Sequence, residues 1–283
     1  MTERDATPQN PAMRKDGFAL REFQGIRYYS CRALEEIPHV RHGFSTRIGE
    51  ASAAAGRSVG LNLGHTSWDS IPRVDENRRR FLSALNLESS RLATLHQVHS
   101  NRVHIINDNS GEWKQPDADA LATRANNIAL AVQVADCLPI LIADPVSGAV
   151  AAVHSGWRGT LSRVLFQTIL ALKSSLGSRP SDLVAAVGPG IRQCCMEVGA
   201  EVAELFEKEY SDSRVVAPAS GGKALLDLCR ALEIQMDRAG IPAGNRHDLG
   251  ACTRCNPREF FSYRAEGPAS GRMIAIIGRT KDE

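Results

Sequence analysis

Between Ile128 and His154 the chain carries three strand-length apolar runs in quick succession: IALAVQV (128–134), LPILIA (138–143) and AVAAVH (149–154). None alternates cleanly between apolar and polar residues. A strand of this kind is covered on both faces, so it must lie inside a layered fold. VHII (103–106), LVAAVG (183–188) and MIAIIG (273–278) are of the same type. The longest apolar stretch, Ile128 to Ala143, is broken by Gln133, Asp136 and Pro139. It falls short of the ~20 apolar residues that a membrane-spanning helix needs.

Helical periodicity predicts four helices, over 72–87, 160–176, 197–209 and 224–239. Pro72 suits a first turn, and Thr160 is a candidate N-cap. Gly177, and Gly240 with Pro242, are stop signals. Strands come in clusters with helices between the clusters. This predicts an α+β fold of mixed β-sheets with covering helices rather than strict βαβ alternation. Residues 1–16 read as a polar, disordered tail. No Pro/Gly/Ser linker divides residues 17–283, so a single domain is expected there. Residues 49–60 (GEASAAAGRSVG) read as a loop of small residues.

At 283 residues, with 43% hydrophobic side chains, the chain can bury a large core without disulfide or metal. Lys+Arg is 34 against Asp+Glu of 32, which argues against a nucleic-acid footprint. The run Arg78, Arg79, Arg80 therefore reads as a solvated helix face. The first residues lack the apolar region of a secretory signal. Seven cysteines without an export signal imply free thiols in a reducing, cytoplasmic setting. No membrane or nucleic-acid partner is expected, and oligomeric state is not encoded in any pattern found.

Ionisable residues gather where the apolar runs end: LHQVHSNRVH (95–104), VADCLPILIADP (134–145) and AAVHSGWRGT (151–160). Asp136 and Cys137 interrupt apolar sequence, where an unpaired charge is costly to bury. His99, Cys137 and His154 form a good ligand set for Zn²⁺: two imidazoles, one thiolate and a fourth position left open. The same residues support a rival reading with Cys137 as nucleophile and His154 as base, oriented by Asp136 or Asp144. Spacing does not decide between them. GPGIRQCCMEVG (188–199) is a turn whose amides could bind an anion. The CTRC knuckle (252–255) beside Cys194 and Cys195 raises a structural zinc site, but such sites normally use two CxxC pairs and here there is one. No phosphate-binding P-loop, dinucleotide fingerprint, HExxH, zinc-deaminase signature or HxH pair is present.

Taken in order, HGFSTR (42–47), LNLG (61–64), ENRRR (76–80), QVH (97–99), DADAL (117–121), ADCLPIL (135–141), HSGWRGT (154–160), GPGI (188–191), CCMEVG (194–199), FFSYR (260–264) and GRM (271–273) resemble one family. It is the YfiH-type laccase-domain family, also called multicopper polyphenol oxidases and later regarded as purine nucleoside phosphorylases. The resemblance runs from about Val40 to Gly278, and it implies a sandwich-like α+β fold similar to that of putative cysteine hydrolases, with residues 17–283 as a single catalytic laccase-type domain. It implies zinc ligands at His99, Cys137 and His154, which are also the catalytic centre. It implies Arg47 as a phosphate or substrate contact with a catalytic part, and Asn62 and Gln97 as substrate-binding residues.

The implied function is zinc-dependent phosphorolysis of adenosine, inosine and methylthioadenosine, with adenosine deaminase side activity. Deamination needs an activated water and a carboxyl to carry protons, for which Asp136 is the candidate. Relatives also suggest a cysteine hydrolase that edits peptidoglycan precursors by removing a misplaced serine. The family's older label suggests copper-dependent phenol oxidation, and copper could load in vitro. A purely structural zinc protein would need four convergent ligands. Ser155, Glu50, Met196 and Ala265 depart from the family pattern, so substrate preference is the property they touch.

Overall fold

The structure, a computed structural model, describes residues 17–49, 60–107 and 112–281. The expected N-terminal tail and most of the small-residue loop lie outside the described residues. In chain order the elements are β1 (Phe18–Phe23), β2 (Ile26–Cys31), α1 (Arg32–Glu35), β3 (Val40–Ser45), α2 (Ile71–Ala84), β4 (Arg91–Ala93), β5 (Val103–Ile106), β6 (Ala120–Thr123), β7 (Ile128–Val134), β8 (Leu138–Ala143) and β9 (Val150–Ser155). They continue with α3 (Trp157–Leu161), α4 (Val164–Leu176), β10 (Val184–Val187), β11 (Glu197–Val198), α5 (Ala200–Glu209), β12 (Val216–Pro218), β13 (Ala224–Leu226), α6 (Leu228–Ala239), β14 (Arg246–Asp248), α7 (Tyr263–Glu266) and β15 (Met273–Arg279).

Among the described residues two six-stranded sheets carry the fold, ordered β1-β2-β3-β15-β7-β4 and β14-β10-β8-β9-β6-β5. Both are mixed. Strand β7 runs antiparallel to β15 and parallel to β4, and β8 and β9 form an antiparallel hairpin next to β10. A small sheet, β11-β13-β12, completes the set.

The continuous apolar runs explain the layering. In β7, Ile128, Leu130, Val132 and Val134 face the second sheet, packing with Leu141, Val150 and Ala152. The intervening Ala129 and Ala131 face α2, where Phe81, Leu82 and Leu85 cover them. In β8 and β9, Ile140, Ile142, Ala151 and Val153 look the other way, onto Leu165, Ile169 and Leu172 of α4 and Leu232 of α6. The order is helix, sheet, sheet, helices, and each central strand is buried on both faces. The α+β sandwich of mixed sheets is the architecture expected from the sequence.

The first expected helix ends at Ala84 instead of 87, and the other three begin or break differently from expectation. The helix predicted over 160–176 is two helices, because Arg163 takes a left-handed conformation (φ 65°) between α3 and α4. Thr160 lies inside α3 instead of capping α4. Glu197–Val198 and Ala224–Leu226, expected to start helices, pair with each other as strands of the small sheet. Gly177 and Gly240 end α4 and α6 at positive φ, as their stop signals predict.

Candidate active site and metal centre

The chemistry sits where the chain leaves one sheet for the other. Ala135, Asp136 and Cys137 link β7 in the first sheet to β8 in the second. His154, near the end of β9, is the register partner of Pro139. This brings it beside Cys137. His99 lies in the loop between β4 and β5, at a φ of 57°. One donor atom each from His99, Cys137 and His154 lies within 4.8 Å of the others. Cys137 Sγ is 3.9 Å from His99 Nε2. Gly156 forms the wall behind them: a Cβ there would sit 2.9 Å from Cys137 Sγ and 3.0 Å from His99 Cδ2.

One carboxylate holds both histidines. Asp119, fully buried just before β6, accepts a hydrogen bond from His154 Nδ1 (2.8 Å) and one from the His99 backbone N–H (3.0 Å) on the same oxygen. Its other oxygen accepts from the Ser100 amide and hydroxyl, and its backbone carbonyl accepts from His154 N–H (2.7 Å). With Nδ1 committed to Asp119, His154 presents Nε2 to a ligand. Such a carboxylate–imidazole pairing is the usual support of a metal-binding histidine.

Cys137, His154 and Asp119 favour one another's charged forms. Burial would raise the Cys137 thiol, but His154 first and His99 second overcome it and lower it to about 6. Burial would lower His154, but Cys137 and Asp119 raise it to about 9. Burial works against the Asp119 carboxylate too, yet His154 and Ser100 hold it down at about 2. The thiolate, the His154 imidazole fixed by Asp119 and the His99 imidazole suit a soft or borderline divalent ion, and the protein leaves a side of the trio open to a cleft.

That cleft has a volume of about 720 Å³. Its lining includes His65, Gln97, Gln133, Trp157, Arg158, Met196, Tyr263, Arg264 and Arg272 as well as the trio. Gln97 is clamped to the β7 backbone, donating to Gln133 O (2.8 Å) and accepting from Gln133 N–H (2.7 Å). Arg47 and Asn62 are not among the lining residues. The Arg47 guanidinium pairs with Glu266 at 2.6 Å, donates to Pro257 O and lies 4.4 Å over the Phe261 ring. It thereby fastens the segment that carries Tyr263 and Arg264. Asn62 is buried and donates to Gly64 O and Asp69, shaping its own turn.

Neither carboxylate suggested as the imidazole's orienting partner fills that place. Asp144 caps the β8–β9 turn through Val146, Ser147 and the Ser147 hydroxyl. Asp136, at φ 90°, accepts from Thr253 Oγ1 and from Arg264 N–H, both at 2.6 Å. Both its oxygens are engaged in holding the far wall of the cleft. The orienting residue, Asp119, stands in DADAL as an acid directly before an apolar strand, the same signal that marked Asp136. The cleft cations Arg158, Arg264 and Arg272 stand in HSGWRGT, FFSYR and GRM. Arg158 stacks on Trp157, 4.2 Å from the ring centroid, and has no ion pair among the described residues.

The family model described as multi-copper polyphenol oxidoreductase laccase matches residues 41–280. A purine nucleoside phosphorylase of Deinococcus radiodurans is 38% identical over 246 residues, 86% of this chain and 91% of that protein. Adenosine deaminase RL5, from an unknown prokaryotic organism, is 36% identical over 83% of this chain and 93% of its own length. The crystal structure of YlmD from Geobacillus stearothermophilus superposes with a TM-score of 0.82 at 28% identity, covering 92% of this chain and 98% of that one.

Proposed function

The chain belongs to the multi-copper polyphenol oxidoreductase laccase family, and on that premise we propose that it is a zinc-dependent purine nucleoside phosphorylase with adenosine deaminase side activity. Adenosine, inosine and methylthioadenosine are the proposed nucleosides, and residues 17–283 the catalytic domain. The observation that carries this reading is the His99, Cys137 and His154 trio opening into an arginine-lined cleft. The relatives named as phosphorylases and as an adenosine deaminase support it.

Bound at the trio, zinc supplies Lewis acidity without redox chemistry. The rest falls to the protein. In phosphorolysis a phosphate oxygen bonds to ribose C1′ as the bond from C1′ to the base breaks, and the bonding pair leaves with the base. Phosphate must therefore be held on one side of the sugar with its charge neutralised. Arg158, Arg264 and Arg272 serve this role, since they line the cleft. Arg47 acts at one remove, by positioning the Tyr263–Arg264 segment. Gln97 fixes the His99 loop against β7. Asp119 keeps His154 Nε2 and His99 turned to the cleft.

The test is chromatography of adenosine incubated with the purified protein, with and without phosphate. Adenine formed only with phosphate is the expected result, and it should vanish in Cys137→Ala. Inosine formed without phosphate would make deamination the principal activity. Failure to turn over any nucleoside would overturn the proposal. A second reading is favoured by one observation: Cys137, His154 and Asp119 align as nucleophile, base and orienting acid, with the thiol lowered to about 6. That reading is a cysteine hydrolase acting on a peptidoglycan precursor. A chelator separates the two, since it abolishes a zinc enzyme and spares a thiol one. The trio's donors also accept copper, so the metal in the purified protein must be counted alongside.

A further inference from the structure

Away from the His-containing trio, the fold gathers a second set of soft donors. The sulfurs of Cys194, Cys195, Cys252 and Cys255 all lie within 4.8 Å of one another. Cys255 Sγ is 3.6 Å from Cys194 Sγ and 3.4 Å from Cys195 Sγ. All four are free thiols, and Cys195 and Cys252 are buried. A tetrahedral zinc ion with four bonds of about 2.3 Å places its sulfurs about 3.8 Å apart. The observed spacing is close to that figure.

The backbone explains how an adjacent pair meets a CxxC knuckle. Cys194 and Cys195 lie in a tight turn in which Arg192 O accepts from both Cys195 N–H and Met196 N–H. Cys252–Cys255 form a second turn, closed by Asn256 N–H donating to Cys252 O. The two turns are zipped together: Gly190 N–H donates to Ala251 O, and Thr253 N–H donates to Gly190 O. The buried Arg192 guanidinium also donates to Ala251 O and pairs with Asp248. Each turn therefore delivers two sulfurs to one point. The sequence offers one CxxC pair where such sites normally use two, and the fold sets the adjacent Cys194–Cys195 against it in place of the second.

We propose that these four cysteines bind one zinc ion as a closed tetrathiolate site, separate from the active centre. Four ligands leave no open position, so the site is structural. Its place in the fold says what it holds. The first turn carries Ile191 and Met196 into the cleft wall, and the second leads to Tyr263 and Arg264 on the same wall. Asp136, next to Cys137, is the anchor to which both loops are tied, through Ile191 N–H, Thr253 and Arg264 N–H. An ion joining the two turns fixes that wall against the catalytic strand ends. Burial pushes Cys255 up to about 12 and raises Cys194 as well.

The experiment counts metal in the protein as isolated, by elemental analysis and native mass spectrometry. Two zinc ions per chain are expected in the unaltered protein. One should remain in Cys137→Ser and one in Cys255→Ser, and none in the double variant. Should Cys255→Ser fail to fold, Cys137→Ser alone decides: titration of its thiols with a mercurial should release one zinc as the four clustered cysteines react. A metal-free Cys137→Ser protein would overturn the proposal. So would peptide mapping under non-reducing conditions that finds Cys194 or Cys195 disulfide-linked to Cys252 or Cys255. Iron in place of zinc would overturn it too. None of these readouts depends on nucleoside turnover, so failure of the functional reading and failure of this one are distinguishable.

Discussion

At the scale of single residues, Asp119 does more than its position in a short polar motif suggests. It is buried, accepts from both histidine-bearing segments and from Ser100, and leaves no oxygen free. Asp119→Asn keeps the shape but loses the charge and one acceptor. Zinc affinity at the trio should fall by roughly 10–100-fold, as for other residues that support metal ligands, read by competition with a chromophoric chelator. The same carboxylate links folding to pH. Its folded pKa of about 2 lies below its ordinary 3.8. Its contribution, about 2 kcal/mol, is therefore full above pH 4 and is lost as pH falls through 2. Urea unfolding of the metal-free protein should show the gap between the unaltered protein and Asp119→Asn narrowing over that interval. A gap that stays constant would remove Asp119's charge from the account. The sequence displays His99, Cys137 and His154 because each stands among the ionisable residues gathered where apolar runs end. It hides Asp119 among neighbouring acids, and nothing local shows that Arg47 is spent on Glu266, 219 positions away.

At the scale of elements, the interior strands are legible and the edges are not. β7, β8 and β15 are continuous apolar runs, so their burial on two faces is written in composition. β1 exposes most of its length, and its FALREF has no such signature. β11 and β13 are two or three residues long and acquire strand character from each other. The break between α3 and α4 depends on Arg163 turning left-handed, which side-chain periodicity does not encode. The short α3 matters for function because Gly156 caps it while passing behind the trio. Gly156 has an ordinary φ of −81°, so alanine costs little there as backbone. Its Cβ would instead press on Cys137 Sγ and His99. Gly156→Ala should leave the melting temperature within a few degrees, since a cap change of this kind is worth about 1 kcal/mol. Activity should drop on the order of 100-fold, the scale of an ångström-sized misplacement of reacting groups. Normal turnover with altered stability would show that the approach is absorbed elsewhere.

At the scale of the molecule, the trio draws on every part of the central sandwich. His99 lies on the loop between the two sheets' edge strands, Cys137 on the link from the first sheet to the second, and His154 on β9. An ion bound to all three therefore ties together segments that unfolding must separate. Binding to the folded chain alone stabilises it by RT ln(1 + [L]/Kd), about 4 kcal/mol when free ligand exceeds Kd a thousandfold. The melting temperature should consequently rise with buffered free zinc. For a chain of this size each kcal/mol corresponds to roughly 2–4 °C, giving a rise on the order of 10 °C. In His99→Ala the zinc dependence at the trio should disappear while the fold persists, since His99 is exposed and packs in neither sheet. Any residual dependence in that variant reports the cysteine cluster, and it should vanish when Cys255→Ser is added. A melting temperature indifferent to zinc in the unaltered protein would mean that zinc does not bind the folded chain in preference to the unfolded one, and the reading of the trio as a zinc centre would fall.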